Sequence, residues 1–203
     1  LEVDFGSIEL SLEEFIGDKP FINNATYFNR KQKTVELINK FISEGMNPKN
    51  IFTSGQSWGG WNSLRIAAFN SELINSSIAF SPGCCDPKKN QKPGSNVAEE
   101  YKYFTYNLKS AKKINALVFS SYADSFENPE SLSFLKNIKG IKMIELPGFE
   151  EGKKIIKING KVCKWDTHDQ NNENLTDGHS IISSSCFEPY IQVIKEYITS
   201  KMN

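Results

Sequence analysis

The chain has 203 residues and a mass of 23.0 kDa, a length that fits one domain with a core of its own. Its 24 lysines and arginines balance 24 aspartates and glutamates. The chain therefore lacks the excess of basic residues that would indicate a nucleic-acid partner. No apolar run approaches the ~20 residues that a membrane-spanning helix needs. We therefore predict a single domain over residues 1–203, with no nucleic-acid partner and no membrane span. The oligomeric state stays open.

In chain order, residues 1–22 show at most a short strand. Apolar residues recur at helical spacing through Thr26–Ser43, which predicts a helix that Gly45 ends. The short apolar run Ile51–Ser54 predicts a strand, and a second helix is expected from about Gly59 to Phe69.

Further apolar runs predict three more strands, with helical patterns among them. The strands are Ile78–Phe80, Ala116–Ser120 and Ile141–Leu146, and the helices are Pro129–Asn137 and Glu188–Ser200. Short apolar strands separated by helices are typical of an α/β fold, in which helices cover both faces of a mostly parallel sheet.

Two polar stretches, at about 84–113 and 149–178, interrupt this pattern and are predicted to be insertions. The first has room for one short helix. The second contains a candidate hairpin that turns at Asn159-Gly160.

One pentapeptide has a chemical signature: Gly55-Gln-Ser-Trp-Gly59, placed between a strand and a helix. A sharp turn from strand to helix strains its central residue, and glycines on either side remove Cβ atoms that would clash. Ser57 then stands exposed at a helix N-terminus, where the Trp58 N–H and the helix dipole face a developing oxyanion. We predict Ser57 as a nucleophile and Trp58 as an oxyanion donor. The alternative is a plain glycine-rich turn.

A serine nucleophile needs a base, and the chain has two histidines. His179 follows the last predicted strand and precedes the final helix, which is where the order Ser–Asp–His requires the base. His168 lies in the second polar stretch. Its alternatives are a solvated loop residue, the base itself, or a ligand of a cation site with Asp166 and Asp169.

The base needs an acid that orients it, and Asp124 follows the strand Ala116–Ser120 at the sheet edge where ligand-facing residues belong. The alternative for Asp124 is a helix N-cap. Glu127 is the nearby substitute for the acid. Asp177 is too close to His179 in the chain to orient its ring and is expected to form a turn.

The segments Gly55-Gln-Ser-Trp-Gly-Gly60, Ala116-Leu-Val-Phe-Ser-Ser-Tyr-Ala-Asp124 and Gly178-His179 stand in the order typical of the α/β-hydrolase superfamily. The chain resembles its dienelactone-hydrolase-like and bacterial esterase members. The resemblance implies a serine hydrolase that cleaves a carboxylic ester through an acyl-enzyme, with both insertions on the active-site side. A catalytically silent binding domain of this fold, or a peptidase or thioesterase, is the alternative.

The chain departs from this family at its front. Several strands normally precede the nucleophile strand, whereas only 50 residues precede Ile51. The N-terminal strands are therefore expected to be shortened or missing, either because the chain is a fragment or because the sheet is short. The second oxyanion donor, which usually comes from that region, stays unassigned.

Three residues in or next to these segments, Gln56, Trp61 and Tyr122, are predicted to contact a small-molecule ester substrate. Trp61 has core packing as its alternative. No cofactor is predicted, because neither of the nucleotide-binding motifs G-x-x-x-x-G-K-[ST] and G-x-G-x-x-G occurs. No metal is predicted either, and the absence of a C-x-x-C pair argues against zinc.

The four cysteines, Cys84, Cys85, Cys163 and Cys186, allow three pairings that the sequence does not choose among. A bridge between Cys163 and Cys186 would tie a long loop to the helix that follows, whereas the adjacent pair could join only with strain. Paired cysteines would indicate a periplasmic or secreted protein, and reduced ones a cytoplasmic protein.

Overall fold

The computed structural model describes residues 25–83, 97–151, 155–164 and 178–202. Its main sheet has the strand order β1-β2-β3-β4, and every neighbouring pair is parallel. The strands are β1 (Phe52–Gln56), β2 (Ser76–Phe80), β3 (Lys113–Ser121) and β4 (Lys139–Leu146). The predicted mostly parallel sheet is therefore confirmed, with strands close to the expected positions.

Four α-helices accompany this sheet within the described ranges: α1 (Ala25–Ser43), α2 (Trp58–Phe69), α3 (Val97–Ser110) and α4 (Glu188–Met202). Parallel strands need a crossover between them, and α2 and α3 supply it for the first three strands. None of the helices in these ranges is both long enough and apolar enough to cross a membrane.

The two predicted insertions are described only in part. The stretch 84–113 contains α3, whose Tyr103, Phe104 and Leu108 are buried in the core, so its described part is a packed crossover helix. The stretch 149–178 contains the hairpin of β5 (Lys157–Ile158) and β6 (Lys161–Val162), which turns at Asn159-Gly160. Residues 84–96, 152–154 and 165–177 lie outside the described residues, so the insertions stay predictions.

The sheet separates two apolar cores because successive side chains of a strand point to opposite faces. In β3, Ala116 and Val118 pack with α1, α2 and α3, whereas Leu117 and Phe119 pack with α4 and the hairpin. Burial on both faces explains why the sequence of β3 is a continuous apolar run rather than an alternating one.

The helix predicted over Pro129–Asn137 is wrong in length and type. The segment begins with turns, in which the Asn128 side chain accepts the N–H groups of Glu130 and Ser131, and a 3₁₀ helix covers only Ser133–Asn137. Its bonds run from residue i+3 to residue i, as from Leu135 N to Leu132 O at 2.9 Å. Because β4 begins at once, this compact geometry replaces an α-helix.

One half-buried side-chain amide ties the start of β2 to two distant segments. Asn75 donates from Nδ2 to the carbonyl oxygens of Lys49, at 2.7 Å, and Lys201, at 2.8 Å. We expect Asn75→Ala to lower the free energy of unfolding by about 2 kcal/mol, because each lost bond is worth ~1 kcal/mol. Urea unfolding measures the loss. Asn137→Ala, a surface amide on the 3₁₀ helix, is the control, and equal midpoints for both variants would contradict the prediction.

Candidate active site

Ser57 occupies a strained turn between β1 and α2. Its φ of 55° and ψ of −125° lie outside the regions that non-glycine residues favour, at a cost of ~1–3 kcal/mol. Hydrogen bonds fix the turn: Ser57 N donates to Phe80 O, and Ser57 O accepts from Trp61 N, both at 3.0 Å. The parallel register therefore holds the serine at the carboxyl edge of the sheet, next to the end of β2.

The glycines around Ser57 do not contribute equally. A Cβ on Gly55 would lie 2.3 Å from the carbonyl carbon of Gly59, and one on Gly60 would lie 3.0 Å from Gly55 O. A Cβ on Gly59 would meet nothing within 4 Å. The expectation that Gly59 avoids a Cβ clash is therefore wrong, because it is the main chain of Gly59 that leaves Gly55 no room.

Asp124 lies in the loop after β3, and its side chain has no exposed surface. Its Oδ1 atom accepts the N–H groups of Phe126, at 2.7 Å, and Glu127, at 3.2 Å. No α-helix begins at this loop; the next helical segment is the short 3₁₀ helix at Ser133. Asp124 is therefore not a helix N-cap. Two main-chain donors set the orientation of its carboxylate instead.

His179 lies in a 3₁₀ segment, Gly178–Ser183, and its ring faces the Asp124 carboxylate. Its Nδ1 atom is 3.0 Å from Oδ2 and 3.2 Å from Oδ1. The side chain is 15% exposed, and its ring centre lies 4.5 Å from that of Phe126. Because an ionised carboxylate only accepts hydrogen bonds, Nδ1 carries the proton in this contact.

Gly83, after the end of β2, joins the serine turn to the histidine. Its N–H donates to Ser57 O at 3.2 Å, and a Cβ built on it would lie 3.3 Å from His179 Cε1. The three predicted catalytic residues are thus gathered at one edge of the sheet. Nothing in the local sequence indicates that Gly83 lies beside a histidine so distant in the chain.

Gly178 is a second glycine in close contact with the site. Its N–H donates to Ala123 O at 3.1 Å, and a Cβ on it would lie 2.5 Å from both Asp124 N and Ser121 Oγ. The main chain before His179 therefore packs directly on the Asp124 loop. The Gly-His pair was the only local signal of this contact.

The residues predicted to contact substrate lie in different surroundings. Trp61 is 0% exposed and packs in the core beside Phe134, so a role in binding substrate is wrong for it and its alternative, core packing, is right. The half-buried Trp58 ring packs edge-on against Phe104, with centroids 5.1 Å apart. Only its main-chain N–H is relevant to the predicted oxyanion role. Gln56 is exposed, and its Nε2 donates to His179 O at 2.8 Å.

Tyr122 points along the sheet edge toward β4, and its hydroxyl donates to Glu145. This hydrogen bond to a carboxylate raises the pKa of Tyr122 above its ordinary value, while the ion pair with Lys136 lowers the pKa of Glu145. The Tyr122 side chain is 46% exposed. Contact with substrate stays a prediction for this residue.

The other candidates lie elsewhere or outside the described residues. Glu127 is 1% exposed, and its carboxylate accepts Ser131 Oγ at 2.8 Å, whereas Asp124 faces His179 Nδ1. His168, Asp166 and Asp169 fall in 165–177, outside the described residues. The adjacent cysteines Cys84 and Cys85 fall in 84–96, which is also outside them. Across the described ranges, no group of three or more His, Cys, Asp or Glu side chains is placed to hold a metal ion.

A disulfide joins Cys163 and Cys186, the pairing that the sequence had left open. Both residues are buried, and they connect the end of the hairpin to the segment before α4. The bridge therefore closes a covalent loop that contains His179.

A parallel sheet between helices, with a serine at a strand-to-helix turn and a His–Asp pair at the same sheet edge, is an α/β-hydrolase-like arrangement. No protein-family model matches the sequence, and no curated protein matches it. Structures similar to this chain include Arabidopsis thaliana SOBER1, with 16% identity over 91% of this chain and 68% of that one and a TM-score of 0.47.

A second similar structure is an esterase, Est2, from Thermogutta terrifontis with butyrate bound. It has 13% identity over 86% of this chain and 64% of that one, with a TM-score of 0.48. Esterase 2 of the same organism, phosphonylated by cyclosarin, has 14% identity over 77% of this chain and 56% of that one, with a TM-score of 0.44.

Proposed function

We propose that the protein is a serine hydrolase that cleaves a small carboxylic ester through a covalent acyl-enzyme. Ser57 is the nucleophile, His179 the general base, and Asp124 the acid that orients the base. The observation that carries the proposal is the contact of His179 Nδ1 with the fully buried Asp124 carboxylate, 3.0 Å away, at the sheet edge that also bears the strained Ser57 turn.

The protonation of His179 follows from its partner. With Nδ1–H directed at Asp124, Nε2 is the ring nitrogen that can accept a proton. Nε2 takes the Ser57 hydroxyl proton as Oγ attacks the acyl carbonyl, and a tetrahedral intermediate forms. The same nitrogen returns the proton to the departing alkoxide. In the second half, Nε2 takes a proton from a water molecule as that water attacks the acyl-enzyme. It gives this proton to Ser57 Oγ when the intermediate collapses and releases the carboxylic acid.

The Ser57 turn supports oxyanion stabilisation. Trp58 is the first residue of α2, where main-chain N–H groups and the helix dipole favour negative charge. Its N–H is the proposed donor to the carbonyl oxygen as that oxygen becomes an anion. One such donor is worth roughly 10²–10³ in kcat in related chemistry.

A fluorophosphonate probe tests the nucleophile directly, because it phosphonylates a serine only when a base activates it. We expect the wild-type protein to gain one adduct, found by mass spectrometry on the peptide that contains Ser57, and Ser57→Ala to gain none. Ser54→Ala, which removes an exposed serine of β1, the strand before the Ser57 turn, is the control and should label normally.

The two negative outcomes differ in meaning. If the wild-type protein is never labelled, the proposal that it is an enzyme is wrong and the silent binding domain is favoured. If Ser57→Ala is labelled as strongly as the wild type, another residue is the nucleophile. Once labelling is established, p-nitrophenyl esters of increasing acyl length, with a matched thioester and anilide, decide between esterase, thioesterase and peptidase.

A further inference from the structure

The main chain at Gly178 and His179 is hydrogen-bonded to residues at the carboxyl ends of three different strands. Gly178 N donates to Ala123 O, after β3, and Gly178 O accepts from Ser81 Oγ, after β2, at 3.2 Å. The third contact comes from β1, where Gln56 Nε2 donates to His179 O at 2.8 Å. It spans 123 positions of the sequence and begins at the residue directly before the nucleophile.

The main chain of Gln56 is held in place by the sheet. It is the last residue of β1, paired in register with Phe80 of β2, so its main chain moves with the sheet and with Ser57. Asp124 holds the His179 ring, and Ala123 and Ser81 hold the main chain at Gly178. The Gln56 carboxamide adds a contact to the His179 carbonyl itself, from the nucleophile side.

We propose that Gln56 is a positioning residue, which keeps the main chain of His179 at the distance from Ser57 that proton transfer requires. This inference rests on the proposed function and replaces the expectation that Gln56 contacts substrate. Reacting groups need near-contact geometry, and a displacement of about 1 Å costs roughly a hundredfold in rate. Because Ser81 and Ala123 still hold Gly178, we expect a smaller displacement and an effect of about tenfold.

The folding energy and the rate should respond differently to loss of this contact. Gln56 is exposed, and a solvated hydrogen bond of this kind adds little to stability. A purely structural residue would change the unfolding midpoint and leave the rate of the folded protein alone. A substrate-binding residue would change KM.

The test compares Gln56→Met, which keeps the length of the side chain and removes the donor, with Gln56→Glu, which places a carboxylate against the His179 carbonyl. Gln192→Met is the matched control, because Gln192 is also exposed and donates from its amide to Glu196 at 3.0 Å on α4. The measurements are kcat and KM for a p-nitrophenyl ester, the rate of phosphonylation by a small fluorophosphonate, and thermal unfolding.

We expect kcat and the phosphonylation rate to fall about tenfold in Gln56→Met and further in Gln56→Glu, with KM and the unfolding midpoint close to the wild type. Unchanged rates in both variants, a rise in KM alone, or a fall in rate matched by Gln192→Met would each overturn the inference while leaving the proposed function standing. A wild-type protein that does not react with the probe would overturn both.

Discussion

Replacing Asp124 with asparagine is expected to lower kcat by about 10⁴, the size of effect seen when the acid of such a triad is made neutral. The reason lies in the hydrogen bonds of the loop. Oδ1 of Asp124 accepts two main-chain N–H groups, so the oxygen of an asparagine would stay there and its NH₂ group would face His179 Nδ1. The imidazole would then keep its proton on Nε2 and could not take one from Ser57.

Kinetics on an activated ester and the rate of fluorophosphonate labelling measure this loss. The substitution keeps the shape of the side chain, so the variant should stay folded and its far-UV circular dichroism should match the wild type. Glu127→Gln is the control, since Glu127 is also a buried carboxylate in this loop but bonds to Ser131. We expect this variant to keep kcat close to that of the wild type. A larger loss in Glu127→Gln than in Asp124→Asn would reassign the acid.

Gly55→Ala is expected to destabilise the protein by more than about 4 kcal/mol, which is in the range reserved for severe steric or packing defects. The added Cβ would lie 2.3 Å from the carbonyl carbon of Gly59 and 2.4 Å from its oxygen. Both atoms are main chain in the first turn of α2 and cannot move aside as a flexible side chain would. Relieving the clash requires opening the Ser57 turn, so the rate of labelling should fall as well.

Gly59→Ala is the matched control for this prediction, because the same methyl group there meets open space. Alanine also favours a helix over glycine by about 1 kcal/mol, so this variant should be at least as stable as the wild type. Urea unfolding of the three proteins, with the yield of soluble protein, compares them. Equal destabilisation by the two alanines would contradict the steric explanation.

The sheet could be predicted because its evidence is local. Each strand is a short apolar run closed by a turn residue, and the intervening segments have helical spacing or room for a crossover. The error at Pro129–Asn137 came from the same local logic, since a suitable composition does not reveal that Asn128 and β4 leave room only for turns and a 3₁₀ helix. The sequence predicted only a short helix within a polar insertion where the structure has α3. The polar residues that flank α3 concealed the apolar side chains that it buries.

By itself, the sequence determined the α/β class and singled out Ser57, Asp124 and His179, because strand ends and chain order are properties of neighbouring residues. The tertiary structure decided which other side chains contact these three residues and which lie in the core. It placed Trp61 in the core, paired Cys163 with Cys186, and directed the Gln56 amide to His179. These outcomes depend on atoms that only the folded sheet brings together, across separations that no periodicity in the sequence records.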